Sequence, residues 1–251
     1  MQSSAVSNNS SPIVSLVDAT KAYTLGKVQV EALRGVSLDV QQGDFLSIAG
    51  PSGSGKTTLL NLVGCVDTVT SGVVRVAGEN TAELSEKQLT ALRLNTIGFI
   101  FQSFNLIAVL DVFQNVEFPL LVQRKLNTAQ RRERVMHLLE QVGLAGHVKH
   151  RPNELSGGQR QRVAVARALV TQPKLVLADE PTANLDSATG QTIIDLMREL
   201  NRKEGTTFIF STHDQKVMEH ASSVVRLADG KILGRITATE AQRALATGAH
   251  G

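Results

Sequence analysis

The chain has 251 residues, 42% of them hydrophobic, with 26 basic and 23 acidic side chains for a net charge of +3. That length suits one large domain or two small ones, and the charge excess is too small to mark a nucleic-acid binder. One cysteine, one tyrosine and no tryptophan exclude an internal disulfide framework, a multi-cysteine metal site and the stacking platforms of single-strand binders.

Residues 1–11 are rich in Ser and Asn and read as a disordered tail. They lack the basic start and apolar core of a secretory signal, and no apolar run reaches the ~20 residues of a membrane span. The expectation is a soluble chain in a reducing compartment, with any membrane segment supplied by another chain. From Ile13 to Ala49, apolar runs broken by Gly26, Gly35 and Gly43 predict several short, partly antiparallel strands.

"FLSIAG" predicts a buried strand ending at Gly50, and "KTTLLNLVG" a helix. Between them "GPSGSGKTT" fits G-x-x-x-x-G-K-[ST] in full, in the strand–loop–helix context the motif requires. Gly50, Pro51, Ser52, Gly53, Ser54 and Gly55 form the loop, whose N–H groups wrap phosphate oxygens. Lys56 neutralises the outer phosphates, Thr57 offers a hydroxyl to Mg²⁺, and Thr58 closes the motif. Cys65, among apolar residues, reads as a buried inert thiol. A strand follows at 72–78.

The middle is helical. Asn127 and Gln130 make a capping box, Val135, Leu138, Leu139 and Val142 form one apolar stripe, and Gly143 stops the helix. In "LSGGQRQRVAVARALV" two glycines stand directly before a good helix. The residues fit a bare capped turn and an anion seat equally well. "KLVLADE" predicts a buried strand ending in Asp179 and Glu180. Behind a phosphate loop, that pair fits a Mg²⁺ ligand and a group that polarises water. A helix over 187–204, a strand in "TTFIFSTHD", a hairpin turning at Asp229–Gly230 and a short helix after Thr237 complete the reading. His137, His147, His150 and His220 match no motif and read as surface or packing residues.

"LSGGQ" lying between a phosphate loop and "LVLADEP" resembles the ATP-binding subunits of ABC transporters, over about Ile13 to Ile236. The resemblance implies an α/β P-loop NTPase with a mostly parallel sheet core, an N-terminal antiparallel β subdomain and an inserted α-helical subdomain. The ATPase domain would cover 12–236, with the helical subdomain at about 103–170 and a peripheral tail at 237–251. It implies that Leu155, Ser156, Gly157, Gly158 and Gln159 of one subunit close on the ATP held by the phosphate loop of another, in a homodimer that forms with ATP. It also implies that Glu180, His213 and Gln102 serve hydrolysis, that Thr57, Gln102 and Asp179 hold Mg²⁺, that Asp186 links the two sites, and that Tyr23 stacks on adenine.

"PTANLD", where many nutrient importers have "PTSALD", and "SFNLIAVLDVFQNVEFPLL" resemble the branch serving FtsX-like permeases, which includes lipoprotein-releasing and macrolide-exporting systems. The implied partners are an integral-membrane permease and, through it, a periplasmic adaptor, at the cytoplasmic face of the bacterial inner membrane. Nucleic acid is not an expected partner. Phe104, Leu106, Leu110 and Phe113 read either as core or as the wall of a groove for a permease helix. The competing readings lack their marks. A soluble ATPase acting on DNA or ribosomes would bring a coiled-coil insertion, zinc cysteines or a second cassette, and a GTPase an Asn-Lys-x-Asp motif. A nucleotide-binding scaffold without turnover often lacks Glu180 or His213.

Overall fold

The computed structural model describes residues 11–26, 28–237 and 240. The chain begins with two long antiparallel strands, β1 (Val14–Leu25) and β2 (Val28–Val40), rather than several short ones. Gly35 bends β2 instead of ending it. Its φ of 73° falls where Ala19 opposite Val36 gives way to Lys21 opposite Leu33, so β2 carries an extra residue. A bulge of this kind needs a left-handed residue, which glycine supplies without a Cβ clash.

β3 (Phe45–Ala49) leads through the phosphate loop into α1 (Lys56–Val63). Next come β4 (Ser71–Val76), β5 (Glu79–Asn80), α2 (Glu86–Thr96) and β6 (Ile97–Ile100). Three helices follow: α3 (Val112–Gln123), α4 (Thr128–Gln141) and α5 (Gly157–Leu169). The chain then runs through β7 (Leu175–Asp179), α6 (Ser187–Glu204), β8 (Thr207–Thr212), α7 (Gln215–Met218), β9 (Ser223–Ala228) and β10 (Lys231–Thr237). The helix expected after Thr237 and most of the N-terminal tail lie outside the described residues.

Local chemistry sets most boundaries. Asn127 accepts from the Gln130 N–H at 3.0 Å while the Gln130 side chain accepts from the Asn127 N–H at 2.9 Å, the reciprocal box that starts α4. Asp229 and Gly230, both left-handed, turn β9 into β10.

Two sheets result. One is antiparallel, in the order β2-β1-β4-β5, and the other runs β10-β9-β3-β8-β7-β6, parallel except at β10. Side-chain alternation along the central strands feeds two apolar clusters. Phe45, Phe208, Phe210, Val176 and Ala178 face the cluster built with α3–α6. Leu46, Ile48, Leu175, Leu177 and Ile209 face the cluster that contains α1 and the antiparallel sheet. The Phe45 ring lies 5.6 Å from Phe208 and 5.0 Å from Phe210. Burying each ring contributes roughly 1.5–3 kcal/mol. Cys65 is buried, and desolvation pushes its thiol up to about 11, in keeping with an inert core role.

α5 is seated on the sheet edge by contacts that leave no room for a side chain. A Cβ on Gly98 of β6 would lie 2.3 Å from the Ala168 carbonyl oxygen of α5. Gly98→Ala should therefore lower stability by about 1–3 kcal/mol, read as a fall in the urea midpoint at unchanged slope.

Candidate active site

Three adjacent parallel strands end together at one edge of the large sheet. Ala49 of β3 pairs with Thr212 of β8, and Asp179 of β7 pairs with Ser211 of β8. The phosphate loop, the acidic pair and His213 all leave from these ends, the edge at which open α/β sheets bind ligands. They surround an open cavity of about 650 Å³ lined by Ala32, Pro51, Ser52, Gly53, Gly55, Lys56, Thr57, Thr58, Gln102, Asp179, Glu180, Ala183 and His213.

The loop's shape depends on glycine at Gly55. Its φ is 103°, and a Cβ there would lie 2.6 Å from the Ala32 carbonyl oxygen. Gly55 also precedes the first turn of α1, so the helix N-terminus and its free N–H groups open toward the cavity. Ser54 and the Gly50 backbone sit behind the loop: Ser54 is buried, and Gly50 abuts the Leu227 carbonyl of β9. Lys56 is only 7% exposed. Its ammonium donates to the carbonyls of Gly50 (2.8 Å) and Pro51 (3.0 Å) and lies 3.7 Å from Glu180 Oε1.

The acidic pair has a backing that the sequence reading missed. The buried Ser211 hydroxyl donates to Asp179 Oδ1 at 2.6 Å and accepts the Glu180 backbone N–H at 2.9 Å. Thr57 donates to the other Asp179 oxygen at 2.9 Å. Glu180 adopts a left-handed φ of 46°, uncommon for a residue with a long side chain. Its carboxylate meets His213 Nδ1 at 3.0 and 3.1 Å. Gln102, just beyond β6, completes the rim.

The oxygen donors fit Mg²⁺. Thr57 and Asp179 already share a hydrogen bond, and Gln102 lines the same cavity. Among the described residues no three His, Cys, Asp or Glu side chains converge on a point. Such a sparse donor set suits an ion that keeps waters and phosphate oxygens as its remaining ligands.

Three groups of expected site residues, the motif at 155–159, Asp186 and Tyr23, lie away from the cavity lining. Leu155 is buried. Ser156 caps α5 in a reciprocal box: its side chain accepts from the Gln159 N–H at 3.3 Å, and the Gln159 side chain accepts from the Ser156 N–H at 2.9 Å. Neither Gly157 nor Gly158 has a positive φ; a Cβ on Gly158 would lie 2.5 Å from Thr189 of α6. Close packing inside the chain thus accounts for one of the two glycines. His147, read from sequence as an ordinary residue, places Nε2 3.1 Å from Gln159 Nε2 and so touches the signature motif. No local pattern marks it, because the two residues meet only through the fold.

Asp186 caps α6, accepting from the Thr189 N–H at 3.0 Å, and hydrogen bonds from Thr189 hold its carboxyl below the usual range. Tyr23 donates its hydroxyl to Asp67 Oδ2 at 2.8 Å, and the Lys21 ammonium sits 5.0 Å from its ring centre. Burial, with the Asp67 carboxylate next to the phenol, raises the Tyr23 pKa.

Ser211→Ala strands Asp179 Oδ1 and the Glu180 N–H together. It should cost about 1–3 kcal/mol of stability by urea denaturation, whereas Thr57→Ala, which opens an exposed bond, should cost under about 1 kcal/mol.

Comparison with known proteins agrees with this geometry. The family described as ABC transporter matches residues 33–183. The chain is similar to an uncharacterized ABC transporter ATP-binding protein of Thermotoga maritima, at 46% identity over 88% of this chain and 94% of that one. It is equally similar, at 46% identity, to the lipoprotein-releasing system ATP-binding protein LolD 1 of Rhodopseudomonas palustris, over 88% of this chain and 99% of that one. The macrolide export ATP-binding/permease protein MacB of Hyphomonas neptunium is 48% identical over 88% of this chain, which spans 34% of that longer protein. Among solved structures, the cassette MJ0796 of Methanocaldococcus jannaschii, as a post-hydrolysis dimer bound to ADP and Pi, superposes with a TM-score of 0.83. Its identity is 42%, and the match covers 90% of this chain and 98% of that one. With a family match over more than half its length and relatives this similar along nearly all of it, the chain belongs to the ABC transporter family as an ATP-binding ATPase subunit of the LolD and MacB type.

Proposed function

We propose that two copies of this chain clasp ATP between them and use its hydrolysis to drive an FtsX-like permease that exports or extracts lipoproteins, macrolide-like compounds or peptides. The observation that carries this reading is a division of labour in the single chain. Lys56, Thr57, Gln102, Asp179, Glu180 and His213 gather at one cavity, while Ser156 and Gly157, at a capped helix start, lie outside its lining. A second copy would bring that helix start to the triphosphate. The dimer reported for MJ0796 supports the arrangement.

In this mechanism the phosphate loop N–H groups and Lys56 bind the β- and γ-phosphates. Lys56 exchanges the Gly50 and Pro51 carbonyls for phosphate oxygens, and in doing so leaves Glu180. Mg²⁺ held by Thr57, Asp179 and Gln102 would neutralise phosphate charge. Glu180 accepts a proton from the attacking water as the water oxygen bonds to the γ-phosphorus and the bond to the β-phosphate oxygen breaks. His213 steadies Glu180 and the γ-phosphate, and the partner's Ser156 helix start faces the same phosphate. Tyr23 would stack on adenine and Asp186 would pass the state of one site to the other.

The permease reading rests on an apolar surface. Leu106 and Phe113 pack against the core, and Leu110 is half-buried, so that part of the expected groove wall faces inward. Phe101, Ile107, Val109, Phe118, Leu121 and Val122 are exposed instead. Beside them Leu94, Phe99, Phe101 and Pro119 line an open groove of about 250 Å³. A grouping of this kind marks an interaction site, and a cytoplasmic helix of the permease suits it. The proposed location is accordingly the cytoplasmic face of the bacterial inner membrane, with any periplasmic adaptor reached through the permease.

Two experiments test these readings. Glu180→Gln should bind ATP and elute as a stable dimer in size-exclusion chromatography with ATP, while Lys56→Ala should lose nucleotide binding; a strictly monomeric Glu180→Gln protein would count against the shared site. Phe118→Asp should abolish co-purification with a co-expressed FtsX-like permease that the unaltered chain retains, and leave ATP-dependent dimerisation intact. Retained co-purification would move the permease contact elsewhere.

A further inference from the structure

The segment 101–105 that carries Gln102 is held in an unfavourable shape. Phe104 (φ 60°) and Asn105 (φ 48°) both occupy the left-handed region. For a bulky residue such as Phe104 that conformation is strained and persists only where the surroundings impose it. Three side chains from two other parts of the chain impose it here. Arg167 of α5 forks onto the backbone, with one guanidinium nitrogen donating to the Asn105 carbonyl (2.5 Å) and the other to the Phe104 carbonyl (2.8 Å). Arg160, two turns earlier on α5, lies 5.1 Å from the centre of the Phe104 ring. Asn184, from the loop between Glu180 and Asp186, donates its amide to the Gln102 carbonyl at 2.9 Å.

We infer that Asn184 and Arg167 are positioning residues for ATP hydrolysis, holding the Gln102 backbone so that its side chain stays at the cavity. The inference rests on the reading of Gln102 as a working residue of that site. Asn184 is also the asparagine by which "PTANLD" departs from "PTSALD". An alanine there has no side-chain donor for this carbonyl. The bond joins the loop carrying Glu180 to the segment carrying Gln102, and Arg167 joins that segment to the signature helix. Three parts of the site are thereby tied within one chain. The planar fork of Arg167 matters more than its charge, since both of its acceptors are carbonyls and a lysine offers no matching pair of donors.

The test is steady-state ATP hydrolysis by the purified full chain. Asn184 is exposed, so Asn184→Ala should keep the wild-type urea midpoint. It should lower kcat about fivefold, with the KM for ATP within about twofold. In a Gln102→Ala background, Asn184→Ala should cause no further loss, because its effect passes through the missing side chain. Arg167→Lys should reproduce the pattern. Wild-type kcat in Asn184→Ala, or losses that multiply in the double variant, would overturn the proposal while leaving the role of Gln102 standing. Wild-type turnover by Gln102→Ala would overturn the reading of Gln102 and this proposal with it.

Discussion

The common ending of three parallel strands is the constraint on which the site depends. β3, β8 and β7 are hydrogen-bonded neighbours, and their register brings Ala49, Thr212, Ser211 and Asp179 to one edge. A shift of one residue would turn Phe208 and Phe210 away from their cluster and Ile209 away from its own, exchanging the two apolar faces. Core packing therefore fixes where the acids emerge relative to the phosphate loop. The distance from Thr57 to Asp179 is a consequence of how phenylalanines and isoleucines alternate several residues earlier. The Ser211 hydroxyl then converts strand register into side-chain aim by holding Asp179 Oδ1 and the Glu180 N–H at once.

The signature helix answers to two demands. Within the chain it must sit tightly on α6 and β6, which is why Gly158 meets Thr189 and Gly98 meets Ala168 without intervening side chains. Outward, it presents a capped N-terminus whose first N–H groups lie near the surface, a suitable seat for an anion supplied from elsewhere. The glycine pair therefore reads both ways: packing against Thr189 accounts for Gly158, while Gly157, half-buried and 3.2 Å from Leu185 at the position a Cβ would take, stands at the first turn of the capped helix. His147 and Arg167 extend the helix's influence, one toward Gln159 and the other toward the Gln102 segment.

What was legible in the sequence follows from the range of the interactions. The phosphate loop, the Asn127 and Ser156 caps, and the Asp229–Gly230 turn are each decided within a few residues, so their chemistry is written in order along the chain. The long β1–β2 ribbon was not legible, because Gly35 can end a strand or bulge it, and only the partner strand decides. Ser211, His147 and Asn184 were missed for a related reason. Their partners lie 32, 12 and 82 residues away, and serine, histidine and asparagine are too common for position alone to mark them. The apolar run after Gln102 was legible as important but not as to facing. Burial of Leu106 and exposure of Phe118 depend on how α3 docks, which the run itself does not encode.

The contacts of Lys56 tie the phosphate loop to the acidic pair. Lys56 is nearly buried, and its charge is met by two carbonyls and, at 3.7 Å, by Glu180. The same carboxylate meets His213 Nδ1 at 3.0 and 3.1 Å, so Glu180 is held both by the phosphate-loop lysine and by the residue that follows β8. An arriving triphosphate carries more charge than Glu180 and meets the loop N–H groups at the start of α1, so it outcompetes the carboxylate for Lys56. Under the proposed mechanism the same event that brings the γ-phosphate also releases Glu180, the group that must take the water's proton, from Lys56. Binding and activation are then one exchange of partners by Lys56.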